Sequence, residues 1–160
     1  MARTLSHWEA FIGVAIFFGF LAYLACSREE PSAYEFKATF TDVSYGPAQQ
    51  QALDFYQART DRPAPLVAYF HSGSFISGDK SDCHAGLVNV LNESGIHFAT
   101  VNYRYADGKQ VLFPEPQRDG ARAVQFLRSK AREWNIDPQR IACFGESAGA
   151  GISLWIGFHD

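Results

Sequence analysis

Three nearly continuous apolar runs, separated by stretches with helical spacing, constrain the fold of this chain more than any other feature. They are APLVAYF (64–70), HFATVNY (97–103) and RIACF (140–144). A strand that is apolar on both faces is typical of a parallel sheet covered by helices. CHAGLVNVLNESG (83–95) and the stretch from Glu115 to Asn135 lie between the runs and have apolar residues at helical spacing. We therefore expect an α/β protein whose later strands are parallel.

Two further segments precede this pattern and predict a hairpin. KATFTDVSYG (37–46) and QQALDFYQA (50–58) have the composition of strands and flank a Gly-Pro turn. Later in the chain, IDPQR (136–140) is expected to be a turn before the last strand, and Gly95 is expected to end the first helix. The order is then two hairpin strands followed by strand, helix, strand, helix, strand and helix.

Composition narrows the class of protein. The chain has 160 residues, of which 47% are hydrophobic and 19% charged, as expected for one globular domain. The net charge is −3 and no basic cluster is present, which argues against nucleic acid as a partner. The three cysteines are too few and too scattered for a disulfide framework or a zinc site.

The N-terminal segment differs in kind from the rest. FIGVAIFFGFLAYLA (11–25) carries no charge and lies between Arg3 and the charged SREE. Its length suits a signal-peptide core better than a membrane span, which needs about 20 apolar residues, yet no clean cleavage site follows. The sequence leaves both alternatives open: residues 1–26 are a signal peptide or an anchor that attaches the protein to a membrane through residues 11–25, and residues 27–36 are a linker. Either alternative predicts export to the periplasm or exterior, or anchoring that faces outside.

The chemistry of the chain is indicated by Gly145-Glu146-Ser147-Ala148-Gly149, a G-x-S-x-G between a predicted strand and a predicted helix. A serine on such a tight turn has its hydroxyl clear of the sheet, and small neighbours let strand and helix approach. The amide of Ala148 then lies at a helix N-terminus, where an oxyanion would form. Ser147 is therefore the candidate nucleophile.

A second motif, YFHSGSFISGDK, precedes it at the end of the strand 64–70. Together with VNYRY, FPEPQRDGARAVQFL and GESAGA, it resembles the α/β-hydrolase fold, and in particular carboxylesterases and lipases with an H-G-G-G loop, including feruloyl- and acetyl-esterase-like members. The resemblance implies that Gly73 and Ser74 join Ala148 in an oxyanion hole. It also implies that His71 orders the loop rather than acting as base, and that no metal or cofactor takes part. The chain departs from the family at Ser72 and Ser74, where glycine is common.

No base for Ser147 is found in the sequence. In this family the acid and the histidine follow the serine, but only AGAGISLWIGFHD remains. His159 lies about 18 Å along the helix from Ser147, whereas a base must lie within about 3 Å. His97 opens a strand at the opposite edge of the sheet, and His84 has no acid partner.

Residues 37–160 are therefore interpreted as the N-terminal half of an α/β-hydrolase domain, truncated after the nucleophile turn and its helix. We expect the serine-bearing strand to be an exposed edge and these residues alone to be poorly soluble and inactive. The predicted function is hydrolysis of carboxylic esters, either small molecules or esters linked to a polysaccharide. A peptidase on the same fold and a non-catalytic, hydrolase-like binding module remain the alternatives.

Overall fold

The computed structural model describes residues 37–159, which form a five-stranded sheet with helices on both faces. The strands are β1 (Phe40–Ser44), β2 (Ala52–Tyr56), β3 (Ala64–Phe70), β4 (His97–Val101) and β5 (Ile136–Gly145). The helices are α1 (Ala85–Glu93), α2 (Glu115–Ser129) and α3 (Ala148–Phe158), and a short 3₁₀ turn spans Lys80–Asp82. Within residues 37–159 no helix has the length and apolar character needed to cross a membrane. The predicted targeting segment and linker lie outside the described residues.

The order of the strands in the sheet is β1-β2-β4-β3-β5. β1 and β2 form the predicted hairpin, β2 runs antiparallel to β4, and β3 runs parallel to both β4 and β5. Consequently the carboxyl ends of β3, β4 and β5 lie at the same edge of the sheet as the β1–β2 turn. The prediction of an α/β sheet with parallel later strands is confirmed.

The larger core lies between the sheet and the two helices α2 and α3. Val124 and Leu127 of α2 and Ile152 of α3 are almost fully buried there. Gly120 permits the close approach of the helices, because a Cβ at this position would lie 2.3 Å from Cγ2 of Ile152. On the other face α1 covers a smaller cluster that contains Val88. Helices on both faces explain why the parallel strands are apolar throughout.

Two boundaries differ from the sequence-based expectation. Residues 136–140, predicted as a turn, belong to β5, but the register shifts between the pairs Ala64–Ile136 and Leu66–Ile141. The extra residues of β5 bulge out of the ladder there, so the turn composition is accommodated inside the strand. The helix predicted to reach Asn135 ends at Ser129.

β5 forms one edge of the sheet, as expected. Among residues 37–159 no strand pairs with its outer side. Phe144 of β5 is 43% exposed, and Leu154 and Phe158 of the neighbouring α3 are 61% and 84% exposed. An unpaired edge beside apolar side chains is a site of non-native association, in keeping with the low solubility expected for these residues alone.

Hydrogen bonds to Asp119 of α2 connect the hairpin and the segment after β4 with this helix. Its carboxylate, 1% exposed, accepts hydrogen bonds from Gln51 Nε2 at 2.7 Å and from Arg104 Nε at 2.8 Å. The hydrogen bond to Asp119 raises the pKa of Arg104, which also pairs with Glu115 at 2.9 Å. The buried carboxylate is thus fully compensated, as a buried charge must be.

Replacing Asp119 with alanine is expected to lower the free energy of unfolding by about 3 kcal/mol, because Arg104 and Gln51 lose their buried acceptor. Urea unfolding of the full-length protein measures the change. The control is Asp137→Ala, which breaks the exposed Asp137–Arg140 pair and should cost much less, because solvent screens an exposed ion pair. Equal losses in the two variants would contradict a special role for Asp119.

Candidate active site

Ser147 occupies the tight turn between the end of β5 at Gly145 and the start of α3 at Ala148. Its backbone angles are φ 52° and ψ −112°, a combination that residues with a Cβ rarely adopt. The residue is exposed, whereas Ala148 is buried. The strand–turn–helix context of the G-x-S-x-G motif is therefore present, and strain of this kind is found where function maintains it.

The two glycines of the motif allow three backbone segments to touch. A Cβ on Gly149 would lie 1.9 Å from the carbonyl oxygen of Phe70 and 2.9 Å from that of His71. A Cβ on Gly145 would lie 2.6 Å from the same Phe70 oxygen and 2.5 Å from the carbonyl carbon of Gly149. The start of α3, the end of β5 and the end of β3 thus pack main chain against main chain. The turn that carries Ser147 is therefore held directly against the root of the loop that follows β3.

That loop has three successive residues with positive φ: Gly73 at 120°, Ser74 at 54° and Phe75 at 64°. The carbonyl of Gly73 accepts from the backbone N–H groups of Ile76 and Ser77, which closes the loop into a compact turn. Ser74, where the family resemblance leads us to expect glycine, takes the left-handed conformation. The cost for a residue with a Cβ is about 1–2 kcal/mol.

Several backbone N–H groups around the turn have no acceptor in the described part of the chain, among them those of Gly73, Ser74 and Ala148. Within residues 37–159, no oxygen accepts from the N–H groups of Gly73, Ser74 or Ala148, nor does any group bond to the hydroxyl of Ser147. Gly73 and Ser74 follow β3, and Ala148 opens the helix after the neighbouring β5. Adjacent parallel strands therefore bring these donors to one edge of the sheet, where an oxyanion hole would need them to point at one oxygen. Their assignment as catalytic donors stays a prediction.

His71 is fully buried and ties the loop down at both sides. Its Nδ1 lies 2.6 Å from the carbonyl oxygen of Ser72, and its ring stacks on Tyr103 at 4.3 Å. Tyr103 in turn donates a hydrogen bond from its hydroxyl to the carbonyl of His71 at 2.8 Å. The ring also fills the space beside Gly78, where a Cβ would lie 2.4 Å from Nδ1. These contacts support the interpretation that His71 is a positioning residue for the loop.

Replacing His71 with phenylalanine keeps a ring for Tyr103 to stack on but removes the hydrogen bond to the Ser72 carbonyl. We expect kcat for ester hydrolysis by the full-length protein to fall about 10²-fold with little change in KM, because the amides lose alignment with the oxyanion. Steady-state kinetics with p-nitrophenyl acetate checks this. The exposed His84 provides the control, since His84→Phe should leave kcat as it is. An unchanged kcat in the His71 variant would show that the loop holds its shape without this bond.

The remaining histidines in the described part lie at the ends of three different elements. His84 precedes α1 on the surface. His97 opens β4, where its Nδ1 accepts from the Ala58 N–H at 3.0 Å and its Nε2 lies 2.9 Å from the Asn135 carbonyl. Burial lowers the pKa of His97. His159 follows α3 on the surface. His97 therefore lies at the opposite edge of the sheet from the turn, and His159 lies at the far end of α3, in agreement with the sequence analysis.

A network behind the loop was not anticipated from the sequence. Lys80 bridges back to the hairpin through Asp54 at 2.8 Å, while its backbone N–H donates to Asn102 Oδ1 at 2.6 Å. Asn102 Nδ2 donates to Asp79 Oδ2 at 2.8 Å, and the Tyr105 hydroxyl donates to the carbonyl of Gly78. Apart from Asp54, the residues of this network come from the turn SGDK (77–80) and the run VNYRY (101–105). Their polar side chains were the sequence signal from which the network could have been predicted.

Within this network, the carboxyl group of Asp79 has the largest shift in pKa. Burial alone would raise the pKa of its carboxyl, but hydrogen bonds from Asn102 and Ser81 and the charge of Lys80 lower it to about 2. The carboxylate accepts from Ser81 N at 2.9 Å and so caps the 3₁₀ turn. Asp79 is therefore ionised at neutral pH and fixes the far end of the loop.

Comparison with known proteins shows that this chain is similar to esterases. The sequence profile of the BD-FAE family matches residues 53–160. A probable isoprenylcysteine α-carbonyl methylesterase of Arabidopsis thaliana is 30% identical over 112 residues, which cover 69% of this chain and 23% of that protein. An acetylxylan esterase of Xylanibacter ruminicola is 35% identical over 75 residues, 46% of this chain and 15% of that protein.

Among solved structures, a truncated carbohydrate esterase from gut microbiota superposes with a TM-score of 0.67 at 22% identity, over 78% of this chain and 45% of that one. This likeness shows the fold. The chain spans about a quarter of the length of the first curated relatives that it matches. The α/β-hydrolase fold expected from the sequence is confirmed.

Proposed function

The chain belongs to the BD-FAE family of α/β-hydrolase esterases, and we propose that it supplies the nucleophile and the oxyanion hole of a serine hydrolase that cleaves carboxylic esters. The observation that carries the proposal is the exposed, strained Ser147 at the same edge of the sheet as backbone N–H groups that have no acceptor among residues 37–159. A binding domain has no need to maintain such a turn, which argues against the non-catalytic alternative.

In the proposed reaction the Ser147 oxygen attacks the carbonyl carbon of the ester and loses its proton to a general base. The carbonyl oxygen becomes an oxyanion, which the N–H groups of Gly73, Ser74 and Ala148 stabilise. Collapse of the tetrahedral intermediate expels the alcohol, which takes up the proton, and leaves an acyl-enzyme that water hydrolyses. An Asp or Glu and a His from outside this chain's 160 residues would supply the acid–base pair.

As substrate we propose a short acyl group esterified to a sugar of a polysaccharide or oligosaccharide. Support comes from the names of similar proteins, which include an acetylxylan esterase and a carbohydrate esterase. A substrate of this kind is met outside the cell, in keeping with export, and the uncharged N-terminal run supports the same location. Cell fractionation would decide whether that run is cleaved or anchors the protein in a membrane.

A fluorophosphonate probe tests the enzyme assignment directly, because it reacts with an activated serine. The full-length protein should be labelled covalently, peptide mapping should place the label on Ser147, and Ser147→Ala should remain unlabelled. The exposed Ser129, which lies at the end of α2, offers a control, since Ser129→Ala should label like the parent. Absence of label on a folded full-length protein would favour the non-catalytic binding module. Label together with cleavage of peptides but not esters would favour the peptidase.

A further inference from the structure

An open cleft of about 930 Å³ lies between the β1–β2 turn and the end of the loop that follows β3 (residues 71–80). One side is formed by the turn residues Gln49 and Gln50 and the other by Asp79, Lys80 and Tyr105. The volume is within the range of binding sites for small organic ligands. Nothing in the proposed reaction uses this cleft.

The cleft opens at the same edge of the sheet as Ser147. β2 is antiparallel to β4, so the start of β2 lies beside the end of β4, where the Asn102 N–H donates to the Ala52 carbonyl at 3.0 Å. Three inter-strand steps, from β5 through β3 and β4 to β2, separate the cleft from the nucleophile. At the usual strand spacing this is roughly 14 Å. A ligand that reaches both places must extend beyond a single sugar ring.

The walls are polar, and Lys80 is the one cation among the described residues that line the cleft. Lys80 pairs with Asp42 at 3.0 Å and with Asp54 at 2.8 Å, and Asp79 is held by Asn102. These contacts hold the wall in a fixed shape. The carboxylates outnumber the cation, so the cleft does not attract a phosphate or a carboxylate. The carboxylate oxygens that remain free can accept hydrogen bonds from hydroxyl groups.

The groups that remain available have the chemistry of sugar recognition. The amides of Gln49 and Gln50 offer donors and acceptors, and the carboxylate of Asp42, whose side chain is 78% exposed, offers further acceptors. Tyr105 adds an aromatic side chain to the lining. Hydroxyl groups satisfy amides and carboxylates, while ring carbons pack on aromatic faces.

One loop connects the cleft with the oxyanion amides. Residues 71–80 begin at His71, pass through Gly73 and Ser74 and end at Lys80 in the cleft wall. The loop is fixed from behind, because the Ala106 N–H donates to the Phe75 carbonyl at 2.7 Å. The distance from the cleft to the oxyanion hole is therefore fixed by a rigid segment.

We propose that this cleft is a distal subsite, which binds a neutral sugar residue of an oligosaccharide while the esterified residue of the same chain lies at Ser147. The inference rests on the proposed function and specifies its substrate: a neutral acylated oligosaccharide of several units rather than a free sugar ester. Binding in the cleft lowers KM for long substrates and contributes nothing to small esters.

The experiment compares kcat/KM of the full-length protein on acetylated xylo-oligosaccharides of increasing length with kcat/KM on p-nitrophenyl acetate. The ratio should rise with chain length in the parent protein. In the double variant Gln49→Ala/Gln50→Ala the gain for the longest substrates should fall about tenfold, as loss of two hydrogen bonds implies. The matched control is Gln139→Ala, an exposed glutamine in β5 near the opposite edge of the sheet, which should keep the ratio.

A second measurement does not depend on turnover. Unesterified xylohexaose should bind to the Ser147→Ala protein in calorimetry, and the Gln49→Ala/Gln50→Ala changes should weaken that binding. A ratio that does not vary with length, or a length dependence that survives the double substitution in a folded protein, would overturn the subsite. Failure of the parent to hydrolyse any ester would instead refute the proposed function, so the two failures are distinguishable.

Discussion

Replacing Gly149 with alanine is expected to lower the free energy of unfolding by about 3 kcal/mol or more and to abolish ester hydrolysis. The added methyl group would lie 1.9 Å from the Phe70 carbonyl oxygen and 2.6 Å from its carbon. Both atoms belong to the main chain of β3, which cannot turn aside as a flexible side chain would. Helix α3 must therefore move away from the sheet, and Ser147 moves with it. Thermal unfolding and p-nitrophenyl acetate hydrolysis of the full-length protein measure the two effects.

The same helix provides the control for this substitution. A Cβ on Gly157 would meet no atom within 4 Å, so Gly157→Ala should stabilise the protein by up to about 1 kcal/mol through helix propensity alone. If Gly149→Ala were as stable and active as Gly157→Ala, the close packing of α3 on β3 would not determine the position of the nucleophile.

The second large effect concerns Ser147 itself, where alanine and glycine substitutions should have the same effect on activity but different effects on stability. Both Ser147→Ala and Ser147→Gly should reduce kcat for ester hydrolysis by about 10⁴-fold or more, because the attacking hydroxyl is lost. The glycine variant should nevertheless unfold with a free energy about 1 kcal/mol higher than the alanine variant, because φ 52° and ψ −112° suit a residue without a Cβ.

Chemical denaturation of the two variants in the full-length protein gives this difference, and the exposed Ser129→Ala should match the parent in both activity and stability. Equal stability of the alanine and glycine variants would mean that the turn relaxes once the hydroxyl is gone. Residual hydrolysis above one part in about 10³ would point to a different nucleophile.

Much of the fold could be predicted from local pattern. The apolar runs at 64–70 and 97–103 became parallel strands, and the Gly-Pro turn became the hairpin, because each depends on residues close in sequence. The strand–turn–helix context of Ser147 could be predicted for the same reason. The bulge in β5 could not, since residues 136–140 carry the composition of a turn and only pairing with β3 makes them part of a strand.

The supporting contacts of the site were beyond the sequence because they join distant residues. Gln51 meets Asp119, and Lys80 meets Asp54, only after the strands have taken the order β1-β2-β4-β3-β5. The positive φ of Ser74 could not be predicted either, because serine is not a residue that favours that conformation. The candidate donors Gly73, Ser74 and Ala148 were named through family resemblance, and their role in catalysis stays a prediction.

The main-chain contact among Gly145, Gly149 and Phe70 has a consequence for suppressor mutations. A Cβ at either glycine would meet main-chain atoms, so no exchange of neighbouring side chains can make room for it. Only a shift of the backbone could do so, and that shift would separate the serine turn from the loop after β3.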